Sequence, residues 1–421
     1  MKKFNVPILY RSPLITAIKN RRKEEDRLKK DFTPSFLDFG EVHIYLARHF
    51  GFCYGVENAI EISFRTVEEN PDKRIYLLSE MIHNPHVNDD LRSRGVKFLM
   101  DTKGNTLIPF EKLLPEDIVV VPAFGTTLEI EKKLQDVGVE IAQFNTTCPF
   151  VEKVWNRAEA IAKNNYTVIV HGKPDHEETR ATFSHSAVNS PTVIVKDMKE
   201  TIELSKYILG TNEPEEFYTQ FAGRFSEGFK LETDLQRIGV VNQTTMLASE
   251  TQAIAEFLKQ TMKIKYNLAE SNVAERFADT RDTLCYATND NQGAVYSLLD
   301  VPADIAIVVG GYNSSNTSHL VELCEGKLPT YFVKSEDEII SSKEIMHYKM
   351  HRKEEVTTLS YLPDKKPVRI LITGGASCPD ALVEGVIKKI TGFYNCHKTI
   401  EDITNEFIRI SNNTESTVLP R

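Results

Sequence analysis

Short apolar runs alternate with stretches of helical periodicity along most of the chain. Each of three helical stretches begins next to a cysteine and is followed by an apolar run of strand length. Strands that alternate with helices favour α/β lobes with mainly parallel sheets. The pattern therefore predicts an α/β protein with strands at 42–47, 74–78, 117–121, 167–170, 238–241, 303–309 and 368–373.

The three helical stretches carry apolar residues at helical spacing, which predicts amphipathic helices that cover the sheets. They begin after Cys53, Cys148 and Cys285. The apolar positions are Val56, Ile60, Phe64 and Val67 in the first stretch, Val151, Val154, Ala158 and Ile161 in the second, and Ala294, Val295, Leu298 and Leu299 in the third.

A polar cluster follows the first predicted strand after each of these helices. The clusters begin at His83, His176 and Ser314, which lie 30, 28 and 29 residues beyond Cys53, Cys148 and Cys285. In parallel α/β sheets, ligands bind beyond the carboxyl ends of the strands. The repetition therefore predicts three similar lobes around one centre, each with one thiolate and one set of polar groups.

The same pattern divides the chain into segments. We expect an N-terminal extension at 1–42, a first lobe at 43–145, a second at 146–281 with an insertion at 196–236, a third at 282–400, and a tail at 401–421. The mixed-charge run 19–31 predicts a solvated surface helix, with the ordered core beginning near Glu41. The polar residues beyond about 400 predict a loosely held tail.

Composition narrows the functional classes. The 421 residues are 41% hydrophobic and 26% charged, which is typical of a globular protein with sizeable cores. A net charge of −9 disfavours general nucleic-acid binding. Apolar runs stay well short of the roughly 20 residues that span a bilayer, and the pattern of a secretory signal is missing. Six scattered cysteines do not make a disulfide scaffold, so we expect a cytoplasmic protein.

Cys53, Cys148 and Cys285 are candidate metal ligands. A helix start favours a thiolate, which is the form that binds a metal. Structural zinc is disfavoured because the chain has no Cys-x2-Cys pair. Iron–sulfur clusters accept thiolates from distant segments, and three thiolates on a [4Fe–4S] cluster leave one iron open to a substrate oxygen. Cys378, in a Gly-rich loop, is a competing ligand, whereas Cys324 is predicted to be a core residue.

The polar clusters are suited to an anion such as a phosphate or diphosphate, because they combine hydroxyl, amide and imidazole donors with Gly-rich turns. Glu178 is a candidate proton donor, since a carboxyl group in a cleft near an anion keeps its proton longer than in water. Thr244 offers a hydroxyl that relays a proton or orients an alcohol. The candidate anion-binding residues are His83, His176, Ser314, Ser315, Asn316 and Ser377.

Taken in order, these motifs resemble the LytB/IspH family of 4-hydroxy-3-methylbut-2-enyl diphosphate reductases. The resemblance spans roughly residues 43–390. It is carried by Gly-Phe-Cys-Tyr-Gly-Val at 51–56, Ile-His-Asn at 82–84, Thr-Cys-Pro at 147–149, His-x-Glu at 176–178, Gln-Thr-Thr at 243–245, Asp-Thr-Leu-Cys-Tyr-Ala-Thr at 282–288, Asn-Ser-Ser-Asn at 313–316 and Gly-Ala-Ser at 375–377.

The resemblance implies three α/β lobes in a pseudo-threefold trefoil around one [4Fe–4S] cluster. The cluster would be held by Cys53, Cys148 and Cys285, and its fourth iron would take the substrate's hydroxyl. Glu178 would deliver protons and Thr244 would contact the alcohol. A ferredoxin or flavodoxin would supply electrons, and the products would be isopentenyl and dimethylallyl diphosphate. The diphosphate would be bound by His83, His176, Ser314, Ser315, Asn316 and Ser377.

The chain departs from the family's pattern at one expected ligand. Family members usually carry a second diphosphate-binding histidine in Ala-His-Gly, where this chain has Ala123-Phe124-Gly125. Phe124 is therefore not expected to be a ligand, and Thr126 or Thr127 is a candidate replacement. The insertion at 196–236, the extension at 1–42 and Cys378 are further departures.

Two other functions stay open at this point. An iron–sulfur hydro-lyase acting on a phosphorylated hydroxy substrate would also use an open iron, but it would need no electrons. A cluster-bearing sensor or binding protein would need no proton donor at Glu178.

Overall fold

The computed structural model describes residues 4–278 and 283–415, so Asp282 of the third cysteine motif lies outside the described residues. The α-helices are α1 Pro13–Glu25, α2 Tyr54–Glu69, α3 Pro85–Ser93, α4 Leu128–Val137, α5 Pro149–Lys163, α6 Glu177–Ala187, α7 Met198–Leu209, α8 Pro214–Gln220, α9 Leu231–Asp234, α10 Ala248–Tyr266, α11 Tyr286–Leu299, α12 Ser315–Glu325, α13 Asp380–Thr391 and α14 Ile400–Glu415.

The strands lie close to the positions that the apolar runs predict. They are β1 Ser35–Asp38, β2 Val42–Leu46, β3 Ile75–Leu77, β4 Lys97–Phe98, β5 Ile118–Val120, β6 Thr167–His171, β7 Thr192–Val195, β8 Ile238–Asn242, β9 Phe277–Ala278, β10 Ile305–Val309, β11 Thr330–Val333, β12 Glu344–Lys349, β13 Glu354–Leu359 and β14 Val368–Gly374.

The chain forms two compact units. The first contains the N-terminal segment up to Glu57, the short stretch 83–85, and the chain from Asn289 onward. The second contains 58–82 and 86–288. The first unit has one large sheet and a separate hairpin, whereas the second has two smaller sheets, so the three predicted α/β lobes each have a sheet of their own.

In the first unit the large sheet has the order β1-β2-β14-β10-β11. Strands β2, β14, β10 and β11 are parallel, and β1 adds an antiparallel edge. The sequence analysis assigned β2 to the first lobe, which is wrong, because β2 pairs with β14 from Val42↔Val368 to Leu46↔Ile372. The strand that leads to Cys53 therefore belongs to the sheet of the third lobe.

The N-terminal segment is not a solvated appendage. Helix α1 begins at Pro13 rather than near Lys19, and Leu14, Ile15 and Ile18 are completely buried in the core of the first unit. Ser12 caps the helix by accepting from the Ile15 N–H at 2.9 Å. The prediction took the mixed-charge run 19–31 as the helix and missed the apolar turn before it.

The predicted C-terminal tail is also wrong over its first half. Residues from Ile400 form helix α14, and Ile403 is buried in the same core as α1, with Phe407 packed against it. Thr399 stabilises the helix start through a 2.7 Å bond to the Asp402 carboxylate. The polar composition of this segment hid a single apolar stripe, which is sufficient to hold a surface helix.

The second unit contains two parallel sheets, with the orders β4-β3-β5 and β7-β6-β8-β9. Helix α5 packs on the larger sheet through Val154, Ala158 and Ile161, which is the stripe that the sequence predicts. In both sheets the carboxyl ends of the strands are followed by the polar motifs, which places those motifs where ligands of α/β proteins bind.

The segment 196–236 is a folded part of the second unit. It contains α7, α8 and α9, and its aromatic residues are buried against β6, β7 and β8. Phe217 stacks on Phe221 and Phe229 with ring centroids 5.1 and 5.4 Å apart. The segment thus completes the core of the β7-β6-β8-β9 sheet. It contributes none of the candidate site residues.

Within the part of the chain that the structure describes, no helix combines the length and the apolar character needed to cross a membrane.

The buried imidazole of His347 makes stability depend on pH. Burial, together with the charge of Lys349, lowers the pKa of His347 from 6.5 to about 4, and its Nε2 lies 2.8 Å from Thr358 Oγ1. Between these values the unfolded chain binds a proton that the folded protein does not, so stability falls as the pH drops from about 6.5 toward 4, by at most about 1.4 kcal/mol per pH unit. We expect H347Q to flatten the pH dependence of urea unfolding in this window; an unchanged slope would contradict the assignment.

Candidate functional site

Cys53 lies immediately before α2 in the first unit, as predicted. Its N–H donates to the carbonyl oxygen of Ala376 at 3.2 Å, and its own carbonyl accepts from Glu57 N at 2.9 Å as the helix begins. Ala376 belongs to the Gly-Ala-Ser turn that follows β14. Because β2 and β14 are neighbours in one sheet, the cysteine and this turn lie at the same edge.

His83 and Ser377 also lie together in the first unit. The Ser377 hydroxyl donates to the His83 carbonyl oxygen at 3.2 Å, and both residues are buried. Gly311, in the turn after β10, approaches the same carbonyl so closely that a Cβ on it would lie 2.4 Å from the oxygen. Three of the predicted polar motifs therefore converge on one backbone position.

The start of α12 carries the Ser-Ser-Asn cluster. Ser314 is the N-cap, and its Oγ accepts from the Thr317 N–H at 3.2 Å and from the Thr317 hydroxyl at 2.9 Å. Both acceptor positions of the Ser314 hydroxyl are thereby used, which leaves its own hydrogen for donation. The positive end of the α12 dipole lies at the same place.

The side chain of Asn316 is oriented by two neighbours. Its Oδ1 accepts from Ala376 N at 2.8 Å and from Asn291 Nδ2 at 3.4 Å, so its Nδ2 points the other way. Among the described residues, Asn316 Nδ2 and Ser315 Oγ are buried and have no hydrogen-bond partner. Buried polar atoms of this kind are rare unless a ligand or water satisfies them.

In the second unit, Cys148 is the N-cap of α5 and Cys285 directly precedes α11. Burial raises the pKa of the Cys148 thiol to about 12, and the nearby charges of Cys285 and Glu178 act in the same direction. We expected the helix start to favour a thiolate, but desolvation outweighs that effect at Cys148 and raises its pKa. Cys285 and Glu178 therefore lie close enough to Cys148 to act on its thiol electrostatically.

Glu178 and Thr244 are in direct contact. The Thr244 N–H donates to Glu178 Oε1, and the Thr288 hydroxyl donates to the Thr244 carbonyl oxygen at 2.9 Å. Glu178 is only 1% exposed, so it is not the surface glutamate that its position next to Glu177 would suggest. His176 caps α6 through its Nδ1, which accepts from the Glu178 N–H at 3.1 Å.

Gln243 is a structural partner that the sequence analysis quoted in a motif but gave no role. Its Oε1 accepts from the Lys173 N–H at 3.1 Å and from the Thr179 hydroxyl at 3.0 Å, and its Nε2 donates to Thr245 Oγ1 at 2.6 Å. It therefore ties the turn after β8 to the turn before α6. A glutamine at a strand end, followed by two threonines, is the signal that the sequence offers.

Phe124 does not replace the missing histidine as a donor. Its ring contacts the ring of His176 edge to face, with centroids 5.5 Å apart and an interplanar angle of 83°. Thr126 is buried and Thr127 precedes α4 as its N-cap. Within residues 4–278 and 283–415, no hydrogen bond joins either threonine to another candidate site residue, so this expectation stays a prediction.

The remaining cysteines differ from the three candidates. Cys324 and Cys378 are completely buried in the apolar core of the first unit, and burial raises the pKa of the Cys378 thiol. Cys324 is a core residue as predicted. Cys378 packs against Gly374 rather than facing a cleft, which removes the main reason to regard it as a competing ligand.

The structure thus assembles the predicted residues in two groups. The first unit carries Cys53, His83, Ser314, Ser315, Asn316 and Ser377, and the second carries Cys148, His176, Glu178, Thr244 and Cys285. Over residues 4–278 and 283–415, no three His, Cys, Asp or Glu side chains are arranged to hold a metal ion.

Fold and site together define an α/β protein with a cysteine immediately before each of three helices and with polar turns at the strand ends. Comparison with known proteins gives the family. The model of the LytB protein family matches residues 44–391, so the chain belongs to the LytB family.

Curated relatives of this chain carry one name. It is similar to the 4-hydroxy-3-methylbut-2-enyl diphosphate reductase of Cyanothece sp., with 41% identity over 353 residues, 83% of this chain and 84% of the relative. It is also similar to the enzyme of that name from Prochlorococcus marinus subsp. pastoris, with 40% identity over 383 residues and 90% of each chain covered.

Solved structures agree on the fold. The structure of the reductase from Plasmodium falciparum matches with a TM-score of 0.60 at 20% identity, covering 89% of this chain and 99% of its own. A structure described as the terminal enzyme of the non-mevalonate pathway matches with a TM-score of 0.50 at 23% identity, covering 83% and 99%. The predicted α/β fold with three lobes is confirmed.

The close approach of Gly311 to His83 can be tested by substitution. We expect G311A to lower the free energy of unfolding by about 1–3 kcal/mol, because the new methyl group overlaps a backbone oxygen that cannot move freely. The matched control is G326A, whose Cβ would meet only carbonyl oxygens at 3.5 and 3.6 Å. Urea unfolding measures both; equal losses in the two variants would contradict the described contact.

Proposed function

We propose that this chain catalyses the reductive dehydroxylation of (E)-4-hydroxy-3-methylbut-2-enyl diphosphate to isopentenyl diphosphate and dimethylallyl diphosphate, the last step of the non-mevalonate isoprenoid pathway. The observation that carries the proposal is membership of the LytB family over residues 44–391, with relatives of this name at 41% and 40% identity over most of both chains. The reaction takes up two electrons and two protons, breaks the allylic C–O bond and releases water.

The donors of the first unit support a diphosphate site. Asn316 offers Nδ2, Ser315 offers Oγ, and the Ser314 hydroxyl has its hydrogen available at the start of α12. Oxygen atoms of a phosphate would satisfy these donors and the positive end of the helix together. The proposed diphosphate ligands in this unit are His83, Ser314, Ser315, Asn316 and Ser377.

His176 would bind the diphosphate from the second unit. Because its Nδ1 accepts a backbone N–H, its Nε2 is the nitrogen that carries the hydrogen when the ring is neutral. That nitrogen donates to an anion in either protonation state. Phe124 contributes no hydrogen bond, so this chain would bind the diphosphate with one donor fewer than the family's usual pattern.

The residues fit an iron–sulfur cluster, which is known for this family. Three cysteines from separate lobes each precede a helix, and two of them, Cys148 and Cys285, lie close enough for the charge of one to raise the pKa of the other. We infer one [4Fe–4S] cluster per chain, held by Cys53, Cys148 and Cys285, with one iron that has no protein ligand. When bound, the cluster would supply one-electron transfer and a Lewis-acidic iron.

Glu178 would hold and deliver the proton. Its carboxyl group is buried, and Oε1 accepts a hydrogen bond from the Thr244 N–H, which orients the carboxyl group. The Thr244 hydroxyl would orient the substrate's alcohol, because Glu178 and Thr288 hold the backbone of Thr244 on both sides. The buried setting excludes water, which keeps the proton on the path from the carboxyl group to the substrate.

The electron donor would be a ferredoxin or a flavodoxin, since the reaction consumes two electrons and an iron–sulfur cluster passes them on one at a time. A cytoplasmic location, predicted from the scattered cysteines, stays part of the proposal.

The primary test is spectroscopic. We expect anaerobically purified protein to contain about four irons per chain and to show visible absorption and EPR signals that change when 4-hydroxy-3-methylbut-2-enyl diphosphate is added. C53S, C148S and C285S should each lower the iron content, whereas C324S should keep it. Iron-free protein that also resists reconstitution would end the proposal.

Dependence on a reductant separates the reductase from the hydro-lyase alternative. We expect product only when a stoichiometric one-electron reductant such as reduced methyl viologen is present, with two electrons consumed per product molecule. Water loss or addition without any reductant would instead indicate the hydro-lyase. Product analysis by mass spectrometry, with the reductant followed by its absorbance, measures both outcomes.

The acid role of Glu178 predicts a selective loss. E178Q should lower kcat by ~10²–10⁴-fold, because the amide cannot donate the proton, while the visible spectrum of the cluster and the affinity for inorganic diphosphate stay near those of the unaltered protein. E177Q, which changes the neighbouring carboxyl group, is the control and should keep most of the activity. Full activity of E178Q would favour a binding or sensing protein.

A further inference from the structure

The turn that follows β5, residues 123–127, packs on helices α5 and α6 within the second unit. The indole of Trp155 on α5 stacks on the imidazole of His185 on α6, with centroids 3.7 Å apart and planes 10° from parallel. Trp155 Nε1 donates to Thr182 Oγ1 at 3.1 Å, and His185 Nε2 lies 3.2 Å from the carbonyl oxygen of Thr126. The stacked pair therefore holds the turn through the contact between the imidazole of His185 and the Thr126 carbonyl oxygen.

Gly125 brings the turn directly against the indole. Its φ is +74°, and a Cβ on it would lie 2.6 Å from the Trp155 ring. Only glycine permits both this conformation and this contact. The end of the turn is held as well, since Ser184 Oγ on α6 accepts from Leu128 N at 3.0 Å and donates to the Glu129 carboxylate at 3.0 Å.

Phe124 is the residue that this arrangement fixes. It directly precedes Gly125, and its ring meets the ring of His176 edge to face at 5.5 Å and 83°. The preceding residue, Ala123, accepts the N–H of Cys148 at 3.0 Å, so the backbone is held on both sides of Phe124. His176 is in turn held through its Nδ1 by the Glu178 N–H.

We propose that Phe124 is a positioning residue that fixes the imidazole orientation of His176, and that the Trp155–His185 stack holds Phe124 in place. This inference rests on the proposed function, in which His176 binds the diphosphate. Edge-to-face packing restricts rotation of the imidazole about its Cβ–Cγ bond, and the cap to Glu178 N fixes which nitrogen faces outward. Phe124 stands where the family usually has a second diphosphate-binding histidine. By ordering the ring of His176, it would compensate in part for that missing donor.

The test is a double-mutant cycle on the cluster-loaded protein. Isothermal titration with inorganic diphosphate gives the affinity, and steady-state kinetics with the full substrate give KM and kcat. We expect F124L to weaken diphosphate binding by about 2- to 10-fold, the range of one aromatic pair, and to raise KM by a similar factor with a smaller change in kcat. F124Y, which keeps the ring, should stay near the unaltered protein.

The decisive comparison is made without the histidine. H176N should weaken binding at least as much as F124L, and F124L/H176N should be no weaker than H176N alone, because Phe124 acts through His176. Losses that add in the double variant would overturn the inference. H176N that binds diphosphate like the unaltered protein would instead overturn the role of His176 in the proposed function.

Two further variants separate positioning from general loss of packing. F110L removes a ring from the core of the β4-β3-β5 sheet in the same unit and should lower stability without changing diphosphate affinity.

W155F keeps the test decisive in case F124L does not fold. It loses the hydrogen bond to Thr182 and part of the stack on His185, and it should weaken diphosphate binding by about 2- to 5-fold. W155F that binds as tightly as the unaltered protein, with F124L doing the same or failing to fold, would contradict the inference.

Discussion

The chemistry of this protein depends on how the first turns of its helices are capped. A helix leaves its first backbone N–H groups without partners, and a capping side chain satisfies one or two of them. In α6 and α12 the capping residues are His176 and Ser314, which are themselves candidate diphosphate ligands. Each cap uses an acceptor atom of the side chain, Nδ1 of His176 and Oγ of Ser314. The capping bond therefore determines which atom of each side chain faces a ligand.

Burial sets the second constraint on the site. Glu178 is buried and Cys148 is half-buried, and desolvation raises the pKa of the Cys148 thiol. Burial of Glu178 is compatible with the proton-donor role proposed for it. For Cys148 the raised pKa means that binding of a metal cation would release the thiol proton.

The segments outside the family match are part of the fold rather than additions to it. The match begins at residue 44, yet Leu14, Ile15 and Ile18 of α1 lie in the same core as β2 and β14, and Ile403 of α14 joins them. The strand that leads to Cys53 is thus supported by residues that the family pattern does not include. The apolar residues of α1 and α14 add to the core of the first unit, whereas the segment 196–236 completes a core in the second unit.

Much of the site could be predicted from the sequence because its signals are local. Cys53, Cys148 and Cys285 directly precede helices, and the polar motifs follow strands, since strand and helix periodicity is visible within a dozen residues. The helix starting at Pro13 was missed because its apolar residues lie in one short turn ahead of a long charged run. Asn316 was predicted as a ligand, but the direction of its amide depends on Ala376 and Asn291, which no local pattern reveals.

The sequence by itself determined the order of helices and strands, the cysteine at each helix start and the polar residues at each strand end, because these follow from side-chain periodicity and capping within short segments. Only the tertiary structure decided that β2 joins the sheet of the third lobe, that burial raises the pKa of Cys148, and that Phe124 packs on His176. Those outcomes depend on contacts between residues that are far apart in the chain, where the surrounding packing sets the pairing, the dielectric environment and the orientation of each side chain.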